Sequence, residues 1–413
     1  TLASQGIMTA EGGPLAITDF GTQFRHARAT PVDMFNAAVA GKPLIIYDKD
    51  SDGNRIRNDT MTKEVTALVD RMAKVFQEWA YSDDRRADAV VAAFNEKMNT
   101  HVKRAYDGVK YLRQIGASPS IKLRRTQKNA AWRMIQEQTM LADHVVGAGK
   151  TFTLITGIME RRRMGLSRKP MVAVPNHLVV QWARDFYKLY PSAKVLAATP
   201  ADFARKNRRR LLARIATGDY DAIIIGHSSL GFIETPADDL RAIVDEKLAG
   251  LRETMEVARA NKESKRTLGQ IEDRIEKYEA RLEQLAERPT DEIGIDFKSM
   301  GIDHLSVDEA HEFKNLEYST SGDRVKGMND PNGSKKAFDL YSKVRGLLGR
   351  KGGVVFATGT PVSNSLVEIY TVMSYLAYDQ LKLRSQDHFD AWSGAYASTE
   401  TRLEYTSTQK LKP

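Results

Sequence analysis

The chain has 413 residues, with 62 Lys and Arg against 53 Asp and Glu for a formal charge of +9, and 42% of its residues are hydrophobic. That is core material for about two to three domains, and it excludes a disordered or collagen-like chain. Cysteine is absent, which excludes disulfides, a thiol nucleophile and thiolate metal sites, and fits a reducing, cytoplasmic setting.

The N-terminal stretch TLASQGIMTAEGG lacks the basic start and apolar middle of a signal peptide, and no run of about 18 apolar residues could span a membrane. A first residue of Thr rather than Met suggests a piece of a longer protein. The charge is uneven: residues 101–217 hold 24 Lys and Arg against 6 Asp and Glu, a balance of +18, while the rest nets −9. Such a block is either a polyanion footprint or a set of solvated helix faces.

In chain order, residues 1–116 read as an accessory region, mostly helical with a short β-hairpin near 43–57. Val65, Leu68, Val69, Met72, Val75, Phe76 and Trp79 step by three and four, and a second helix is expected at 86–98. The string DKDSDG at 48–53 matches the start of an EF-hand loop. Arg55 at position eight and Asp59 at position twelve, between strand-like flanks, favour an acidic hairpin turn.

From about residue 117 short apolar strands alternate with helices, at 171–174, 195–198, 222–225, 305–307 and 354–357. This is the signature of βα units and a parallel sheet. The two parts of this α/β region are set at 117–238 and 292–383. Between them, Val244, Leu248, Leu251, Met255 and Ala258 form one heptad-like stripe. Leu268, Ile271, Ile275, Tyr278, Leu282 and Leu285 form another. An antiparallel coiled-coil hairpin over 239–291, reversing at 261–266, is expected rather than one continuous helix. Residues 321–336 read as a polar loop, and 384–413 as a C-terminal segment.

The chemistry begins with Gly147, Ala148, Gly149, Lys150 and Thr151 ahead of an apolar helix. Glycine turns let backbone N–H groups approach phosphate oxygens, with the helix dipole behind them. Lys150 would reach the β- and γ-phosphates and Thr151 would hold Mg²⁺. The strict pattern wants Gly where His144 stands. A second signal is the apolar strand at 305–307 ending in Asp308, Glu309, Ala310 and His311. Asp308 would hold the metal and Glu309 would deprotonate the attacking water. A third is FATGTP at 356–361, and a fourth is Gln127, whose amide could read an adenine edge. The eight His residues show no metal-binding spacing, and Arg161, Arg162 and Arg163 suit the C-terminal end of a helix dipole.

These signals in this order resemble superfamily 2 helicases of the Swi/Snf-type branch. The matching stretches are Gln127, the GAGKT loop, PNHLVVQW at 175–182, DEAH at 308–311 and TGTP at 358–361. The His144 departure is usual in that branch. The likeness is closest to large helicase-like proteins of phages and mobile elements. These are often fused to an adenine-N6 DNA methyltransferase, here expected upstream, and some resemble antirestriction proteins.

The resemblance implies a RecA-like lobe binding ATP and Mg²⁺ through Gln127, Gly147–Thr151, Asp308 and Glu309. It implies coupling of nucleotide state to nucleic acid through His311, Thr358, Gly359 and Thr360. It also implies DNA contacts at Pro175, Asn176, His177, Gln181, His227, Ser228 and Ser229. The family's second lobe, with its arginine finger, has no room in the 52 residues after Pro361. A chain that binds ATP·Mg and turns it over very slowly is therefore expected. The rival readings are an RNA helicase and a nucleotide-switched interaction module without motor activity.

Overall fold

A computed structural model describes residues 24–40, 44–49, 55–98, 104–260, 265–286, 294–318, 320, 331–363, 365–397, 404–405 and 411–412. Most of the acidic string at 48–53, the hairpin reversal at 261–264 and most of the polar loop, at 321–330, lie outside the described residues. The chain divides into two compact units, Thr1–Arg104 and Ala105–Pro413.

The first unit holds α1 (Pro31–Ala40), β1 (Tyr47–Lys49), β2 (Arg55–Arg57), α2 (Asp59–Tyr81) and α3 (Asp84–Met98). The two strands pair antiparallel, Tyr47 opposite Arg57. Asn58 starts α2 by accepting the Met61 N–H at 2.9 Å through its side chain, an N-cap. The three- and four-residue stripe then buries Val65, Val69 and Met72 against Phe24 and Met34. Asp48 accepts from Arg28 at 2.8 Å and from Asn58 at 2.6 Å, so this carboxylate is already engaged by Arg28 and by the residue that caps α2.

The second unit follows as α4 (Arg125–Gln136), β3 (Thr139–Asp143), α5 (Lys150–Arg163), β4 (Pro170–Val174), α6 (Val179–Leu189), β5 (Val195–Ala198), α7 (Arg205–Thr217), β6 (Ala222–Gly226), α8 (Ala237–Ala260), α9 (Lys265–Ala286), β7 (His304–Asp308), α10 (Lys335–Gly349), β8 (Gly353–Thr358), α11 (Val367–Leu376) and α12 (Phe389–Tyr396). Its six strands are all parallel, in the order β3-β8-β7-β4-β6-β5, giving the expected RecA-like α/β sheet.

The four inner strands are buried at every residue, as near-continuous apolar runs such as PMVAV and AIIIG require when both faces are covered. The edge strands β3 and β5 alternate instead. Successive side chains point to opposite faces. Met171, Ala173, Ile223, Ile225, Leu305 and Val307 face one core, and Val172, Val174, Ile224, Val355 and Ala357 face the other. The sequence reading held five strands; β3 makes a sixth.

Two further differences concern the flanks of this sheet. Residues just after 104 pack on α4: Tyr106 donates to Glu137 at 2.6 Å, and Tyr111 stacks on Trp132 at 5.3 Å. At the other end, Phe389 and Trp392 of α12 join Tyr370 in an aromatic cluster.

The helices α8 and α9 pack against each other. Arg252 reaches Glu279 at 2.8 Å and Arg259 reaches Glu272 at 3.2 Å, a register that makes them antiparallel. Val244, Leu248, Leu251, Met255, Ile271 and Tyr278 are buried in the same core as the sheet. Among the described residues no helix is long and apolar enough to cross a membrane.

Candidate functional site at the carboxyl edge of the sheet

Because every strand is parallel, the turns that follow them share one edge, the usual ligand side of such sheets. Register sets Asp143 beside Thr358 and Asp308 beside Ala357, so the loops after β3, β8 and β7 leave the sheet at one level.

The loop after β3 carries two glycines with φ near 82°, Gly147 and Gly149. Gly149 is the residue before α5, and a Cβ there would stand 2.4 Å from Gln127 Nε2. Both the left-handed backbone and the close approach therefore demand glycine. Lys150 is buried, and its ammonium donates to the His144 carbonyl at 3.1 Å across the loop. Thr151 stands half-buried one residue further into α5, and Ala148 closes the turn with its N–H on the Val145 carbonyl. Burial, with Lys150 beside it, holds the His144 imidazole below its ordinary pKa.

Gln127 is buried, and both ends of its amide are engaged. Oε1 accepts the Arg124 N–H at 2.8 Å, and Nε2 donates to the Gly149 carbonyl at 3.0 Å. In this structure it braces the phosphate-loop candidate from behind.

Asp308 ends β7 almost fully buried. Its carboxylate accepts the Trp182 indole N–H at 3.0 Å and the Glu309 N–H at 3.1 Å. Burial pushes its carboxyl above the usual carboxylate range, against the pull of the Trp182 bond. Glu309 adopts a left-handed backbone, φ 50° and ψ 48°, which costs a non-glycine residue about 1–3 kcal/mol. Its carboxylate lies 3.3 Å from His311 Nδ1. That same nitrogen lies 3.0 Å from the Thr358 hydroxyl, which also accepts the Thr360 N–H at 3.1 Å. A Cβ on Gly359 would stand 3.0 Å from Val146 and 3.4 Å from the Lys150 ammonium. The TGTP turn thus closes on the loop after β3 and is pinned to the DEAH turn.

The turns after β4 and β6 are tied to each other and to the acidic turn. Asn176 Oδ1 accepts from the Ser228 hydroxyl at 3.0 Å, and His227 Nε2 donates to the Asp308 carbonyl at 2.9 Å. Burial lowers the His227 pKa to about 4, so the ring is neutral near pH 7. Pro175, Asn176, His177, His227 and Ser228 line one cleft of 1420 Å³ together with Glu309 and His311. The far wall of that cleft includes Lys277 and Arg281 of α9.

Two residues expected at a DNA-contacting face do not line this cleft. Ser229 is fully buried under the turn after β6, whereas His227 and Ser228 line the cleft. Gln181 is exposed on α6 but lies outside the cleft lining.

Sequence reasoning missed two positioning residues. Trp182 stood inside the quoted PNHLVVQW string, and its indole N–H was the available signal. Glu368 accepts the Ser363 N–H at 2.6 Å and pairs with Lys314 at 3.0 Å, fixing the loop after TGTP to the turn after β7; nothing local marked it. Among the described residues no cluster of His, Asp and Glu forms a protein-only metal site.

The chain belongs to the probable helicase-domain family, which matches residues 132–413. A domain of unknown function matches residues 5–100. A solved structure of the Sulfolobus solfataricus SWI2/SNF2 ATPase core in complex with dsDNA is similar over 65% of this chain, at 17% identity and a TM-score of 0.35. The match covers 38% of that chain's length. No curated protein matches this chain.

Proposed function

We propose that this chain is the first motor lobe of an ATP-driven, Swi/Snf-like DNA translocase. The observation that carries the reading is the single carboxyl edge on which the Lys150 loop, the Thr358 turn, the Asp308–Glu309 turn and the Pro175 and His227 turns follow one another. In this reading Lys150 and Thr151 bind the phosphates, and Glu309 orients and deprotonates the attacking water. Gln127 reads adenine with the amide that otherwise holds Gly149, which links base recognition to loop position.

Mg²⁺ fits the donor set: Asp308 is a buried carboxylate with two N–H donors and a raised pKa, and a cation offsets that cost. Asp308 and Thr151 would hold the ion, which when bound neutralises phosphate charge. The cleft-lining Pro175, Asn176, His177 and Ser228 would meet the DNA backbone, giving affinity without sequence information.

The test is a titration of the chain with a fluorescent ATP analogue and Mg²⁺, beside duplex DNA and RNA in anisotropy assays. The wild-type chain should bind nucleotide, Lys150→Ala should bind at least about tenfold more weakly, and duplex DNA should bind better than RNA. Turnover with DNA should stay below about 1 s⁻¹ in these 413 residues, slower than a typical enzyme. Wild-type protein that binds no nucleotide would overturn the reading, and a preference for RNA would favour the RNA helicase.

A further inference from the structure

The basic block of the sequence separates, in the fold, into spent and unspent charge. Arg161 is buried with its guanidinium on the Met134 carbonyl at 2.8 Å. Arg162 pairs with Asp221 at 2.6 Å and with Asp219, and Arg163 pairs with Glu160 at 2.8 Å. These cations hold the lobe together.

The helix α7, RKNRRRLLARIAT, is different. Leu211, Leu212 and Ile215 bury its inner face and account for its place in the fold. Arg205, Lys206, Arg209 and Arg210 are all exposed. Among the described residues no carboxylate pairs with these four. Asp202, the acid nearest in sequence, is turned back onto the Thr199 N–H and hydroxyl at 2.8 and 2.7 Å. Cations in the first turns of a helix oppose its dipole, at about 0.3–1 kcal/mol each near the end, and no acid stands in the first turn to compensate. Folding alone gains nothing from this arrangement, whereas an anion would relieve it.

The position of α7 identifies the anion. It begins seven residues after β5, the last strand in the order, on the edge that carries the proposed nucleotide and DNA turns. Arg208 lies over the Phe232 ring at 4.5 Å and donates to the Phe203 carbonyl at 3.2 Å, and Phe203 stacks on Phe232 at 6.2 Å. Phe232 lies just past the His227 turn, so the start of α7 is clamped to the end of the proposed DNA track. At about 4.8 Å per strand, β5 is roughly 10 Å beyond β4, an advance of about three phosphates along one strand of a duplex.

We infer that Arg205, Lys206, Arg209 and Arg210 contact the phosphodiester backbone of bound duplex DNA, extending the footprint past the turns after β4 and β6. This rests on the DNA reading above. The decisive measurement is the salt dependence of duplex binding by the 413-residue chain, compared with Arg205→Gln/Lys206→Gln/Arg209→Gln/Arg210→Gln. Each lost phosphate contact lowers the slope of log K against log[salt] by about 0.9. The variant should lose at least about two contacts, bind duplex at least tenfold more weakly at low salt, and keep wild-type affinity for the ATP analogue.

An unchanged slope in the variant, with the wild type binding DNA, overturns the α7 contact alone. An equal loss on removing Lys63, Lys74 and Arg85 in the first unit would reduce the effect to net charge and overturn it too. A wild-type chain that binds no DNA overturns the DNA reading and this contact with it.

Discussion

His311 Nδ1 lies 3.0 Å from the Thr358 hydroxyl, joining the turn after β7 to the loop after β8. Asp308 and Glu309 start one of these turns, and Gly359, crowded against the Lys150 loop, sits in the other. One hydroxyl therefore connects the loop proposed to bind phosphate with the acidic turn proposed to hold the metal and activate water. Coupling between two ligands is a free energy that each exerts on the other. Thr358→Val should bind the ATP analogue and DNA each within about threefold of wild type while reducing their mutual effect by at least half. Paired titrations, each ligand with and without the other, check this. Wild-type coupling in the variant would remove the hydroxyl from the mechanism.

Gly149→Ala places a Cβ 2.4 Å from Gln127 Nε2 on a backbone with φ 82°. It should cost about 1–2 kcal/mol in stability from the left-handed backbone alone and weaken nucleotide binding. Gln127→Ala opens the space but frees the Gly149 carbonyl, so the double variant should recover part of the stability lost by Gly149→Ala. Urea unfolding of the three variants reads this directly. Strictly additive losses would contradict the contact.

Trp182→Phe removes an indole N–H from a buried carboxylate. The cost of leaving Asp308 short of a donor is about 1–3 kcal/mol. Unfolding measurements should show that loss in the absence of Mg²⁺ and nucleotide. The loss should shrink when both are added, since a bound cation takes over part of the donor's work. An equal loss in both conditions would mean that no cation reaches Asp308.

His304 sits fully buried in β7, with Nε2 on the Ser306 hydroxyl at 3.0 Å and Nδ1 without a partner. Burial, and Arg161 beside it, hold its pKa well below the ordinary value near 6.5. The unfolded chain therefore takes up a proton before the folded one does. Stability from this residue is complete above about pH 6.5 and is lost as pH falls below it toward the depressed folded value. Thermal unfolding from pH 7.5 to 5 should show a falling midpoint in wild type and a flatter profile in His304→Gln. Parallel profiles would exclude His304 as the source.

The local parts of this site were readable from the sequence because they are strings. GAGKT, DEAH and TGTP each sit on one turn, and the inner strands declare themselves as unbroken apolar runs. What escaped was long-range. TMLAD at 139–143 is a weak apolar run, and its strand identity comes from pairing with β8, more than 200 residues away. The hydrogen bond from Trp182 to Asp308 spans 126 residues, and that from His227 to the Asp308 carbonyl spans 81. No spacing rule reaches that far. Nor does the HSS string tell its members apart: in the short helical turn after β6, His227 and Ser228 line the cleft while Ser229 is buried.

The two helices between β6 and β7 look in sequence like a detachable ornament, but their packing says otherwise. Glu246 of α8 accepts Arg345 of α10 at 3.1 Å and also meets Lys382, and Asp239 accepts Arg350 at 2.6 Å. Arg281 of α9 lies over the Phe338 ring at 3.6 Å. The apolar seam of the pair is continuous with the side chains beneath the sheet. Excising residues 239–291 would therefore not yield a smaller, cleaner lobe. It would strip Phe338 and Tyr341 of α10 of their cover, and the shortened protein should aggregate rather than fold. The insert has become part of the foundation.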